Sequence, residues 1–308
     1  MDINQQEFTI AKEGFKDWLD GRAKEEPSRQ LFTELNRIMV DPSWTDEQLA
    51  NALNKISLKD VNQYQQDLVN NNRIRMFAFG NYSEATVKEF AQITQTTMSP
   101  GWQQRDRFVA AVNKPAVGEH TNYRGDIAKT DNGLLHAYYS DNTELTTAAQ
   151  LFLLNSIFQQ AFYNQLRTEE QIGYVVGSSI DRIGDYWGFI LYAQTTNTEL
   201  ADLSLRFNRF VEEYWPQLQA LDEAVLEQLR ATVIAQINQA PGNFYEEYPK
   251  YLNDFYRGND KFDTRARLIN AIEQTTKADV VTEYQDLILQ QNAYRVDVEL
   301  QGTQSAAE

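Results

Sequence analysis

Apolar positions recur at three- and four-residue intervals over most of the chain and give way to alternation in a central block and near the end. The helical period predicts helices over 5–25, 27–39, 45–55, 57–71 and 83–97, with a strand over 73–80 between the last two. Strands are expected near 107–113, 120–127 and 133–140, then a long helix over 143–170. The alternating runs 174–181 and 186–195 predict a hairpin around 182–185. Helices over 198–219, 222–239, 243–257, 261–273 and 276–290 lead to a last strand over 294–300. Runs of strands followed by runs of helices indicate an α+β sandwich rather than a doubly wound sheet.

The same pattern holds a long-period repeat. The run 49–53 (LANAL) aligns with 268–272 (LINAI), Asp60-Val61 with Asp279-Val280, and 67–69 (DLV) with 286–288 (DLI), all at an offset of 219. Ser57 and Thr276, each followed three residues later by Asp, are matching helix starts. A constant offset through a helix–helix–strand order predicts two copies of one unit. The boundary signal is Met98-Ser99-Pro100-Gly101. The expected division is 1–106, the C-terminal portion of a first unit whose opening strands are missing, 107–300, a complete second unit, and 301–308, a small polar tail that frays.

Composition narrows the partners. A net charge of −16 argues against nucleic acid, which needs clustered Lys and Arg. No run of eighteen apolar residues exists, so no membrane span or membrane partner is expected. The start, Met1-Asp2-Ile3-Asn4, is polar and acidic, unlike a signal peptide. The chain has no cysteine.

Residues 166–174, LRTEEQIGY, carry the most chemistry. They close the long helix, reach Gly173 and enter a β-branched strand at Tyr174. Arg167 on the last helical turn is a bidentate cationic donor and Tyr174 at the strand mouth a phenolic one. Such a pair suits a peptide carbonyl or a developing oxyanion. Arg167 can equally pair with Glu170 or Gln171 along the helix, and Tyr174 can be an ordinary strand aromatic. Gly173 is read as the helix exit. Gly177 permits close approach of another backbone or a bulge, and an exposed aromatic of the 186–192 run could grip an extended peptide by strand addition.

This stretch resembles the pitrilysin family of zinc endopeptidases. Tyr163-Asn164-Gln165 before it and the runs 238–241 (NQAP), 254–259 (DFYRGN) and 262–265 (FDTR) after it are similar to the family as well, so the likeness spans nearly the whole chain. It implies α/β sandwich units with an antiparallel-rich sheet covered by helices. It implies that Arg167 and Tyr174 bind substrate, holding its backbone beside a zinc site carried by an N-terminal half, with Gly173 structural at that site. It implies peptide substrates, the N-terminal half of the same protease as partner, and a periplasmic location.

The family's metal motif, H-x-x-E-H, is not in this chain. Glu119-His120 could end such a motif, but Ala116 stands where its first histidine belongs. His120 and His136, sixteen positions apart, read as ordinary strand or loop histidines. No metal ligand, no cofactor and no catalytic residue is therefore expected here, and zinc belongs to the full-length parent. The expected function is the non-catalytic C-terminal half of a zinc metalloendopeptidase. Alternatives are a free-standing peptide-binding module of the same fold, or an independent hydrolase. The reading frame upstream of Met1 discriminates the first two: an H-x-x-E-H segment favours the half-enzyme, a stop codon the module.

Overall fold

The computed structural model describes residues 3–70, 74–98, 109–113, 117–290 and 292–303. Positions 99–101 of the boundary signal, Ala116 and positions 304–308 of the expected tail lie outside them. The chain opens with helices α1 (Gln5–Arg22) and α2 (Pro27–Met39). Pro27 sits where a helix needs no N–H, and Leu31, Leu35 and Met39 follow at four-residue steps, all buried. A two-residue strand β1 (Val40–Asp41) precedes α3 (Asp46–Lys55), which a Thr45–Gln48 capping box starts, then α4 (Leu58–Asn70) and α5 (Glu84–Met98). β2 (Ala111–Val112), β3 (His120–Asp126) and β4 (Asn132–Tyr139) lead to the apolar helix α6 (Leu145–Tyr163). Strands β5 (Val175–Ile183) and β6 (Tyr186–Thr195) form the hairpin, turning at Gly184 with φ 58°. Helices α7 (Leu200–Gln219), α8 (Glu223–Asn238), α9 (Phe244–Arg257), α10 (Thr264–Gln274) and α11 (Lys277–Tyr284) precede β7 (Tyr294–Gln301).

Two helices end differently from their expected form. Both α6 and α11 loosen into a π-helical turn, Asn164–Glu169 and Gln285–Leu289. Apolar spacing does not distinguish a π turn from an α turn, so the sequence shows one long helix in each place. The expected strand over 73–80 is absent: residues 74–80 carry the alternation but pair with no other strand among the described residues. Of the expected strand over 107–113, positions 107 and 108 lie outside the described residues and the remainder holds β2, paired with β1. At the other end, Gly302 N–H donates to Asn132 Oδ1 (2.9 Å) and Thr303 N–H to Lys129 O (2.8 Å), so β7 is followed by an anchored segment.

The chain forms two compact units. One comprises Met1–Gly21, Trp44–Ala110 and Pro241–Phe262; the other comprises Arg22–Ser43, Ala111–Ala240 and Asp263–Glu308. The second holds a five-stranded sheet in the order β3-β7-β4-β6-β5, antiparallel except for β3 with β7. β5 is one edge and β6 is interior, so the Tyr186–Thr195 strand is not the edge that the strand-addition reading requires. α2 covers one face, packing Leu31, Leu35 and Met39 on Leu135, Ala137, Val296 and Val298. The other face carries the larger core around Phe158, which meets Phe162, Phe189, Phe210 and Tyr214 at ring centroids 5.1–5.4 Å apart. In the first unit aromatic contacts join the 74–80 segment to α9: Phe77 lies 5.3 Å from Phe255, and Phe79 lies 5.2 Å from Tyr251. Among its described residues Leu19 is its buried apolar side chain.

At the offset of 219, α1 falls on α8, α2 on α9, α3 on α10, and α4 on α11 with its π turn. The helix starts match in detail. Asp60 Oδ2 accepts from Ser57 N–H at 2.9 Å, and Asp279 Oδ2 accepts from Thr276 N–H at 2.7 Å. The second helix of each series is exchanged: α2 belongs to the unit holding the later strands, and α9 to the unit holding the earlier helices.

Candidate substrate-contact site

The functional stretch lies at the exit of α6, within the unit that holds the sheet. Glu170 N–H donates to Gln165 O (2.9 Å) and Ile172 N–H to Leu166 O (3.0 Å), which closes the π turn. The left-handed residue that breaks the helix is Gln171, with φ 52°. Gly173 is not the helix stop. Its role is room: a Cβ there would be driven into the Gln194 carbonyl oxygen and stand 3.4 Å from Thr195 Cβ. The Ile172 carbonyl accepts from the hydroxyls of Thr195 (2.5 Å) and Thr198 (3.2 Å). The path from helix to strand is thus fixed at three successive residues.

Arg167 sits on the π turn, partly buried. It does not pair with Glu170, because Glu170 is bound by both guanidinium arms of Arg206 and by Gln165 Nε2 (2.8 Å). Those contacts hold the Glu170 carboxyl below its usual range, the Arg206 hydrogen bond first. Arg167 Nε is buried with no hydrogen-bond partner among the described residues. A buried, unmatched donor on a cation costs about 1–3 kcal/mol or more.

Tyr174 stands at the head of β5, 49% exposed, with its hydroxyl turned inward. The hydroxyl donates to Asp131 Oδ2 and accepts from Gln194 Nε2. Asp131 is 8% exposed and Gln194 fully buried; Gln194 Nε2 also donates to Asp131 Oδ2 at 2.9 Å and to Glu26 Oε2 at 3.1 Å. Lys129 Nζ closes the group on Glu26 at 2.8 Å. Burial pushes the Tyr174 phenol up to about 12, helped by its hydrogen bond to Asp131 and the charge there. The Asp131 carboxyl is held below its usual range: burial raises it, but hydrogen bonds from Tyr174, Gln194 and Thr130 outweigh that. No hydrogen bond joins Arg167 to Tyr174 among the described residues. Sequence reasoning missed Asp131 and Gln194. The one available signal was Gln194 itself, a polar residue closing the apolar run of β6.

Gly177 pairs with Tyr192, and a Cβ at 177 would lie 2.7 Å from the Tyr192 hydroxyl. The glycine leaves space for a side-chain ring, not for another backbone or a bulge as expected. The two histidines, distant in sequence, meet at one carboxylate because β3 and β4 flank β7. His120 Nε2 is 2.9 Å and His136 Nε2 3.6 Å from Asp297 Oδ2. Arg295 occupies the same carboxylate at 2.8 and 2.9 Å and stands 3.1 Å from His136 Nδ1. Burial pushes His136 down to about 3, so it is neutral. A guanidinium in the cluster does not suit a metal, and among the described residues no group of three His, Cys, Asp or Glu could hold one. Among the described residues this cluster does not fit zinc.

A family model described as PQQ synthase PqqF-like, C-terminal lobe domain 4, matches residues 153–252, which include Arg167 and Tyr174. The chain is similar to Protease 3 of Salmonella typhi, 26% identical over 308 residues, 99% of this chain and 32% of the relative. It is similar to human insulin-degrading enzyme, 21% identical over 93% of this chain and 29% of the relative. A crystal structure of pitrilysin superposes with a TM-score of 0.88 at 25% identity, over 99% of this chain and 32% of that one. The chain thus spans about a third of the length of the relatives it matches.

Proposed function

We propose that this chain, a member of the family of pitrilysin and insulin-degrading enzyme, is the non-catalytic C-terminal half of a zinc metalloendopeptidase. In this reading the catalytic metal lies in an N-terminal half, the two halves form a substrate chamber, and the chain supplies Arg167 and Tyr174 to the peptide being cut. The observation that carries it is the pinned exit from α6, which presents a cation with an unmatched buried donor and a half-exposed phenol from one short junction. Arg167 would hold a backbone carbonyl by its planar fork. Tyr174 would support the oxyanion formed at the scissile carbonyl. The substrates would be peptides and the compartment the periplasm. We further propose that 1–106 and 107–300 descend from two copies of one unit, in keeping with the repeated helix series.

The test is made in the complete peptidase. Tyr174→Phe should lower kcat by roughly 10²–10³, the usual loss of one oxyanion donor. Arg167→Lys keeps the charge but loses the two-point contact, so its effect should fall largely in KM. Both variants should keep their zinc. If both left kcat/KM within about twofold of the parent, the pair is structural and this reading is wrong.

A further inference from the structure

Tyr174 has one rotatable ring and one hydroxyl, and both are constrained from positions far away in sequence. Asp131 lies in the loop before β4, and Gln194 near the end of β6. Their side chains meet the phenol oxygen from two directions, one accepting and one donating. They also bind each other at 2.9 Å, which makes a closed three-membered ring of hydrogen bonds. The two partners are anchored in turn: Gln194 Oε1 accepts from Ser28 N–H at 3.3 Å, and Asp131 accepts from Thr130 Oγ1 at 3.0 Å. The Gln194 main chain abuts Gly173, so this one residue fixes both the backbone before Tyr174 and its side chain. A phenol in an ordinary strand position needs none of this. Half-exposed tyrosines meet their hydrogen-bonding needs with water, whereas burying a carboxylate and an amide beside one is costly unless both are satisfied.

We infer that Asp131 and Gln194 are positioning residues for Tyr174, holding its phenol at a fixed point and setting which way its O–H is directed. With Asp131 ionised, the O–H is committed to the carboxylate and the phenol oxygen offers only its remaining lone pair outward. The hydroxyl can donate to a substrate oxygen only by exchanging Asp131 for that oxygen. Substrate engagement at Tyr174 is therefore a partner exchange, and the inward-facing state is held by Asp131. The role in cleavage rests on the peptidase reading above, but the hold on the phenol does not.

Two measurements separate these. In the 308-residue chain, 3-fluorotyrosine placed at position 174 is titrated by fluorine NMR. Asp131→Asn removes a charge and weakens an acceptor, so the phenol should titrate at lower pH than in the parent chain; Gln194→Leu should shift its resonance. An unchanged midpoint and an unchanged resonance would overturn the inference, whatever the peptidase does. In the complete peptidase, Asp131→Asn and Gln194→Leu should each lower kcat/KM about tenfold, within the range expected when a contacting group moves by a fraction of an ångström. Neither should lower it further in a Tyr174→Phe background, because the effect passes through the missing hydroxyl. An equal loss in both backgrounds would mean that Asp131 and Gln194 serve only the fold, and would overturn the positioning role. Should Tyr174→Phe itself cost nothing, the peptidase reading fails and the fluorine titration alone decides the hold.

Discussion

The chain builds the same junction twice in its sheet-bearing unit. α6 and α11 each loosen into a π turn, close with a bond from residue 170 or 290 to a Gln carbonyl, and enter a strand headed by a tyrosine. The two diverge in side chains. Where the first has Arg167, the second has Leu287, 3% exposed. Where the first has Gly173, the second has Ala293, 1% exposed. Tyr174 binds a carboxylate and an amide and is half exposed, while Tyr294 donates to Thr121 Oγ1 at 2.8 Å and is 9% exposed. The π turn is therefore a way of joining a helix to a strand, and by itself no mark of a site. What distinguishes the first junction is that it leads to an edge strand and carries polar side chains, a buried Arg167 Nε without a hydrogen-bond partner among the described residues and a half-exposed Tyr174, where the second has apolar or buried ones.

Exchanging the two side chains gives the largest expected contrast. Leu287→Arg buries a cation without a partner and should destabilise the chain by about 4 kcal/mol or more. Arg167→Leu should be neutral or stabilising by up to ~1 kcal/mol, since it removes an unmatched buried donor. Urea unfolding of both variants checks this; equal losses would erase the distinction. The tyrosines come next. Tyr174→Phe should cost about 2.7–4 kcal/mol in the barrier to peptide cleavage and about 1 kcal/mol in folding from the lost bonds to Asp131 and Gln194. Tyr294→Phe should cost about 1 kcal/mol of stability and leave cleavage unchanged. Kinetics and unfolding measured on the same two proteins would show whether the roles separate.

The glycine position is a finer test. Gly173→Ala must move the Gln194 strand and should cost about 1–3 kcal/mol, as overpacking does; Ala293→Gly should cost roughly 0.5–1 kcal/mol. Thermal unfolding resolves the pair. The smallest effect is in acid. The folded pKa of Asp131 is lowered, so its contribution is present above the ordinary carboxylate range and lost as pH falls through the folded value. Acid should free the Tyr174 hydroxyl while the Tyr294–Thr121 bond, which has no charge to lose, persists. Fluorine signals from the two positions would report it.

Much of this was legible in the sequence, for physical reasons. α2 was read at its true limits because Pro27 and the i, i+4 spacing of Leu31, Leu35 and Met39 agree. The matching helix starts were legible because Ser57–Asp60 and Thr276–Asp279 cap their helices by the same local bonds. The strand over 73–80 was misread because alternation reports a half-buried extended segment, not a partner. Phe77 and Phe79 find aromatic rings of α9 instead. Arg167 and Tyr174 were singled out as candidates by residue type at a helix-to-strand junction and by the family resemblance of the run 166–174. Asp131 and Gln194 were not, since they come to Tyr174 from 43 and 20 residues away through the sheet. Both histidines lie on strands as expected, but their meeting at Asp297 was not legible for the same reason: only strand order shows that β7 lies between them.

The exchange of α2 and α9 has a consequence in time. A ribosome delivers α2 about seventy residues ahead of β2, long before any strand that it will cover exists. The extended segment at 74–80 must wait for α9, which is made some 160 residues later. Each unit thus draws on segments far apart in the sequence, and contacts this far apart form slowly. A nascent chain halted near residue 106 would hold α2 with no sheet beneath it and Phe77 and Phe79 with nothing to pack on. Apolar surface of that kind is what holdase chaperones bind. The two units cannot mature one after the other, and proteolytic survival of stalled nascent chains should rise in a single late step once β7 clears the exit tunnel.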